Sequence, residues 1–481
     1  MTAPLRSTLV AALVASAFPA ALVAQDFDRS QVPAAGPTPE VPSPEVHRRT
    51  LPNGLELWTV SRHGLPIVNA TLVIRAGADA DGDLPGLASV TAGLLDEGST
   101  DRSAPAFARA VEGLGISLNV NAGIERTTIT LQALTATADS AFALLGELVG
   151  RPGFTPDEID RDRQRRLTAL RARQDQPVTV ATQLFNAKLY GADAPYGHPG
   201  DGTLASIAAI TRPDIIAFYG RYYRPANAVL VVVGDVTPDR AAALALGGLG
   251  GWEGGAASKD PVPAAPAPGA ATVYLVDKPK AAQSEIRIGN VGASRTSPDF
   301  YALTVLNTVL GGQFSSRINL NIREAKGYTY GARSSFTFLR GAGPFMASSG
   351  VVSAKTDSAL VEFMRELKDI RGPRPATPAE VAFGTGSIVR AYPRRLETNA
   401  GVANELAELA YFRLPPSELA DYQRKIAAVS TADVDRVAKR YLQPEHFVTV
   451  VVGDLATLQA GIEALRLGAV RVVDPEGRPL P

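Results

Sequence analysis

The sequence predicts an α+β protein of two homologous domains, each a mostly antiparallel sheet with helices packed on one face. Three observations predict it. The first is an internal duplication. TRPDIIAFYGRYYRPANAVLVVVGDVTPD, from Thr211, returns as STADVDRVAKRYLQPEHFVTVVVGDLATL, from Ser430. Asp214 matches Asp433, Arg221 matches Arg440, Tyr222 matches Tyr441, Pro225 matches Pro444 and Gly234-Asp235 matches Gly453-Asp454, all at an offset of 219. That period is too long for a solenoid and describes a repeated domain. Each copy reads as an N-capped helix, a proline stop, a buried β-run and a turn. The second observation is a linker, GGAASKDPVPAAPAPGAAT (254–272), with nothing to bury. It parts a block at 46–253 from a block at 273–468, with a tail at 469–481. The third is that strands group with helices instead of alternating in strict βαβ order.

Taken in order, the chain opens on a secretory signal at 1–24. Arg6 gives it a positive start, and Leu9 to Ala24 is apolar but too short for a span of about 20 residues. The expected product is exported, periplasmic or extracellular, with no membrane span in the mature chain. A Pro-rich leader follows at 25–45. Within the first block, Leu55–Val60, Asn69–Arg75 and Ile124–Leu134 carry the apolar runs and period-two alternation of strands. Ala88–Leu95, Ala104–Leu114, Ala136–Val149 and Thr155–Gln174 read as helices. The last opens on Thr155-Pro156-Asp157-Glu158, a cap followed by an acidic first turn.

Composition excludes several chemistries. Lys+Arg and Asp+Glu both number 48, so the net charge is zero and no basic surplus points to nucleic acid. No cysteine is present, which removes disulfides, thiolate nucleophiles and Cys-ligated metals. The four histidines, His47, His63, His198 and His446, are scattered, and each reads as a surface or turn residue. Asp96-Glu97 reads as a solvated helix end beside Gly98-Ser99. The arginines at 161, 163, 165, 166, 171 and 173 could suit an acidic partner. The plainer reading is a solvated face paired with Glu158, Asp160 and Asp162. A hydroxyl hydrolase on Ser89 lacks any visible elbow or base.

From LPNGLELWTV at Leu51, through RAGADADGDLPGLA (75–88) and LGGQFSSRINLNIREAKGYTYGA (310–332), to VVVGD at Asp454, the chain resembles the pitrilysin/insulinase zinc metallopeptidases. The resemblance implies two such α+β domains. It also implies, in active members, an inverted H-x-x-E-H motif on the first helix. Two histidines hold zinc there, a glutamate activates water, and a further glutamate on a later helix completes the ligands. Aligned on GLASVTAGLLDEGST (86–100), Ser89 and Gly93 stand where the histidines belong and Ala92 where the glutamate belongs. Ala169 stands at the downstream ligand, with Thr168 and Leu170 beside it. None of these can hold zinc.

The same resemblance assigns substrate-binding roles elsewhere. Arg323 and Tyr330, seven residues apart, match an arginine and a tyrosine that hydrogen-bond the bound peptide. Gly311 and Gly312 would let backbone approach that pocket. Asn121, with Ala122, matches the start of a substrate-lining edge strand. The plainer alternative is that Arg323 pairs with Glu324 and Tyr330 packs in the core. The expectation is a metal-silent subunit of a two-chain zinc peptidase, inactive alone. An H-x-x-E-H-bearing partner would supply the zinc and face a shared peptide substrate. The alternative is a non-enzymatic peptide-binding or scaffold subunit.

Overall fold

The computed structural model describes residues 44–258 and 261–480, together with Gly36. The predicted signal segment, and the leader up to residue 43, lie outside the described residues. Residues from 44 onward belong to one compact unit.

Two six-stranded sheets form the framework. The first orders its strands β1-β2-β6-β3-β5-β4: His47–Thr50 (β1), Glu56–Ser61 (β2), Ile67–Ile74 (β3), Ser117–Ala122 (β4), Thr127–Leu134 (β5) and Ala228–Gly234 (β6). The second orders them β12-β7-β11-β8-β10-β9: Thr272–Asp277 (β7), Gln283–Val291 (β8), Thr329–Phe336 (β9), Pro344–Val352 (β10), Val448–Gly453 (β11) and Ala469–Val473 (β12). β2 and β6 run parallel in the first sheet, as do β12, β7 and β11 in the second; the other pairings are antiparallel. The duplication is visible in detail. The Arg212–Tyr222 helix precedes β6 and the Thr431–Tyr441 helix precedes β11. Both open with capping boxes, Thr211 with Asp214 and Ser430 with Asp433. Ala469–Val473, at the start of the expected tail, is a strand because alternate residues pair with β7.

One face of each sheet carries that half's own helices, around two large apolar cores. The other face is covered by a helix from the opposite half. Val402, Leu406, Leu409 and Tyr411, on the Asn399–Tyr411 helix, pack on Trp58, Val60, Val231 and Val233. Reciprocally, Val180, Leu184 and Phe185, on the Pro177–Tyr190 helix, pack on Val276, Val450 and Val452. Strands buried on both faces need apolar residues at successive positions, which is why β6 reads AVLVVVG without alternation. The halves are therefore interlocked. A polar latch adds to this: the carboxylate of buried Glu125 accepts from the Arg340 backbone N–H at 2.9–3.0 Å and from the Tyr196 hydroxyl.

Candidate functional site

The first-half site is built on two helices. Leu87–Gly93 is short and begins at Gly86, whose φ of +94° and close approach to Gly202 suit glycine. Buried Asp81 anchors this start, accepting from the N–H groups of Gly86 and Ala88 at 2.7 Å each. Burial pushes its carboxyl up to about 7, against the pull of those two bonds. The long Pro156–Gln174 helix starts where predicted, with Thr155 capping the Glu158 N–H. It buries Ile159, Asp162, Leu167 and Leu170.

Where the two helices meet, a guanidinium lies at the positions aligned with the metal ligands. Arg166 donates from Nη1 to Ser89 Oγ and from Nη2 to the Ser89 carbonyl, both at 2.9 Å. Its Nε donates to Asp162 Oδ2 at 2.5 Å. The Asp162 side chain is 1% exposed and that of Arg166 18%. A Cβ added to Gly93 would lie 2.5 Å from Arg166 Nη2, so the guanidinium uses the space a side chain there would need. Ala92 is buried and offers a methyl group where the family has its water-activating carboxylate. Ala169 is exposed on the long helix. At helical spacing both Ala169, seven residues after Asp162, and Leu170, four after Arg166, border this inward row, and of the two only Leu170 is buried. These residues do not fit a zinc ion. Among the described residues, no group of three or more His, Cys, Asp or Glu side chains is placed to hold a metal.

The arginine run is only partly a solvated face. Arg161 and Arg163 pair with Glu158 and Asp160 as expected. Arg165 pairs with Asp162 as expected but also reaches Glu97 at 3.0 Å, and Arg173 pairs with Asp201. Glu97 is thus tied to the long helix. His47 is exposed, His446 is half-buried, and His63 pairs with Asp235 at 2.8 Å. His198 departs from the surface reading. It lies in a loop but is only 9% exposed, and burial lowers its pKa.

In the second half, Gly311 and Gly312 follow the Phe300–Leu310 helix, Arg323 lies on the segment before β9, and Tyr330 lies on edge strand β9. Gly311 accepts from the Ser334 N–H of β9 at 3.0 Å, and a Cβ there would meet that nitrogen at 2.4 Å. Gly312 packs as closely on Asn307. Arg323 sits on a π-helical turn, Leu320–Ala325, and pairs with Glu324 at 2.9 Å. Its guanidinium also lies 4.4 Å from the centre of the Phe314 ring. Tyr330 is 90% exposed on β9, so it does not pack in the core. Phe314, 66% exposed, was not singled out from sequence, although it stands in the same GGQFSS run. Asn121 lies on the other sheet. It is next to last on edge strand β4, not at a strand opening, because the chain turns at Gly123–Arg126 before β5. It lines a cleft of about 290 Å³ with Arg126, Phe338, Tyr411 and Phe412.

Comparison with known proteins agrees with this architecture. The family model described as insulinase (peptidase family M16) matches residues 58–197, and that described as peptidase M16 inactive domain matches 209–383. An uncharacterized zinc protease of Streptomyces coelicolor is 26% identical, covering 86% of this chain and 91% of its own. A protein of Helicobacter pylori named a non-peptidase homolog is 24% identical over 82% of this chain and 90% of its own. Among solved structures, a peptidase M16 inactive domain from Pseudomonas fluorescens superposes with a TM-score of 0.80 at 27% identity, covering 85% of this chain and 98% of that one. A Helicobacter pylori protease shares the fold, with a TM-score of 0.79 at 22% identity, covering 85% and 99% of the two chains. With the zinc-motif positions held by Ser89, Ala92, Gly93 and Ala169, the chain belongs to the insulinase family of peptidases, M16, as a member without the metal motif.

Proposed function

We infer that this protein is the metal-silent subunit of a two-chain zinc metalloendopeptidase, exported and inactive alone. Its partner would be an M16 chain that carries H-x-x-E-H and the zinc. The observation that carries the reading is the asymmetry between the halves. The first-half metal positions are filled by Ser89, Gly93 and the Arg166 guanidinium. The second half keeps Arg323 on its π-helical turn and Tyr330 exposed on edge strand β9. Strand β9 lies at the sheet edge, but the N–H groups of Ala332 and Ser334 on it already donate to Asn319 and Gly311, so a peptide seated there would be held chiefly by side chains. Arg323 can donate to a peptide carbonyl through several fixed N–H groups. Tyr330 adds a neutral donor that brings no competing charge. To do so, Arg323 must exchange its pairing with Glu324 for substrate.

The test is reconstitution. The chain is mixed with an H-x-x-E-H-bearing M16 chain from the same source, and peptide cleavage, zinc content and association are followed. Activity is expected only in the mixture and is abolished by chelator. Arg323→Ala is expected to cost roughly ten- to a hundredfold in kcat/KM, the loss of a charge-assisted hydrogen bond. Tyr330→Phe costs less, with assembly intact. Chelator-sensitive cleavage by the lone chain would sink the idea. The Arg323–Glu324 pair favours a second reading, a non-enzymatic peptide-binding scaffold. That reading takes over if both variants assemble and cleave at the wild-type rate.

A further inference from the structure

Arg166 does more than fill space. A metal at this position in an active relative would join the first helix to the long helix and hold fixed positive charge between them. Here both effects come from one side chain of the long helix. Two N–H donors of Arg166 grip Ser89 of the short helix, and the third is held by Asp162 one turn earlier. Asp162 takes a second donor on Oδ1 from Arg165 at 2.5 Å, and Arg165 continues to Glu97 beyond the short helix. Buried Asp162 is therefore fully engaged, and the two helices are cross-linked at both ends of the 89–97 stretch. Gly93 suits this arrangement, because a Cβ there would meet the guanidinium and make it shift.

We propose that Arg166 is an internal replacement for the metal, a fixed cation that cross-links the two helices and excludes a divalent ion from the first-half site. Two consequences separate this from an incidental surface ion pair. Removing the guanidinium alone leaves Asp162 buried beside a single partner, whereas removing both partners for apolar side chains restores a neutral contact. Reinstating metal ligands is also insufficient while Arg166 stays. A doubly charged ion would then sit within a few ångströms of a guanidinium that cannot lose its proton.

The first test is a thermal double-mutant cycle on the intact chain, using Arg166→Met, Asp162→Leu and the two combined. Each single change is expected to lower Tm by several degrees, and the combination to recover most of that loss. Arg166→Met melting at the wild-type temperature, or a combined loss equal to the sum of the singles, overturns the cross-link. If neither single variant folds, the combined variant decides: folding supports the proposal and failure to fold overturns it. The second test measures zinc affinity by competition titration in a chain carrying Ser89→His, Ala92→Glu, Gly93→His and Ala169→Glu, with Arg166 kept or changed to Met. Binding at least about a hundredfold tighter after Arg166→Met is expected. Equal binding in both overturns the exclusion. Binding in neither also counts against it, since ligand geometry and not the cation would then be the barrier.

Discussion

The two halves pack the same pair of helices in opposite ways. In the first half the long helix brings a cation and its counterion, Arg166 and Asp162, and the short helix yields with Gly93. In the second half, the Pro378–Arg395 helix opens with the same Thr-Pro-x-Glu cap, Thr377 to Glu380 against Thr155 to Glu158. Counting from that shared start, Gly384 stands where the first half has Asp162, and Ile388 where it has Arg166. There it is the long helix that yields. A Cβ at Gly384 would sit 3.4 Å from Val309 of the Phe300–Leu310 helix, an apolar contact. The second half shows that this crossing needs no charge. A buried ion pair is rarely more stable than well-packed apolar residues of similar volume. Stability alone therefore does not account for its presence in the first half.

The largest expected effect comes from breaking the ionic version of the contact. Asp162→Ala leaves the Arg166 guanidinium part-buried with no carboxylate, and costs about 3–5 kcal/mol by the behaviour of broken buried pairs. Chemical denaturation of the intact chain measures it. Gly93→Ala ranks next. Its methyl meets the end of a flexible side chain, so Arg166 can move aside, but only by weakening its bonds to Ser89; roughly 1–3 kcal/mol is expected. Gly384→Ala sharpens the contrast, since its methyl reaches ordinary van der Waals distance from Val309 and leaves the Gly-to-Ala helix preference free to act. The expected change is between zero and a gain of about 1 kcal/mol. If Gly93→Ala and Gly384→Ala behave alike, the two crossings are not as different as their side chains suggest.

Much of this contrast was legible in sequence, and the part that was not has physical reasons. Helix caps, proline stops and apolar runs are local signals, so the duplication and the Thr155 start could be read directly. The absent zinc ligands were legible because Ser89, Ala92 and Gly93 fail on chemistry alone. Arg166 was not, because six arginines in one helix carry the same local signature whether they meet solvent or a neighbour. Only the crossing with the short helix selects one of them. The exchanged helices Pro177–Tyr190 and Asn399–Tyr411 were missed for a similar reason. An apolar stripe says that a face is buried, not which sheet buries it. His198 misled because Gly-Pro-rich surroundings signal a loop, and this loop is covered by the rest of the molecule.

The smallest expected effect concerns acid, and again separates the halves at their shared cap. Glu380 accepts from the Thr377 N–H and hydroxyl, and both its oxygens take N–H groups of Arg317 at 2.6 Å. The Arg317 guanidinium, followed by the Thr377 bonds, holds its carboxyl down at about 2 against a usual 4.5. A carboxylate whose pKa is depressed in the folded state binds fewer protons there than in the unfolded chain. Stability must therefore fall as pH drops. The contribution is complete above about pH 4.5 and is lost progressively down to about pH 2. Its counterpart Glu158 pairs with Arg161 on its own helix instead of with a neighbouring element. Glu380→Gln is expected to lower stability at neutral pH modestly, since the group is partly exposed, and to flatten the decline between pH 4.5 and 2. Glu158→Gln, at the matching cap without an arginine from another element, is the comparison. Urea midpoints at a series of acid pH values measure both, and equal flattening by the two variants would place the acid sensitivity in the shared cap instead of in the bond to Arg317.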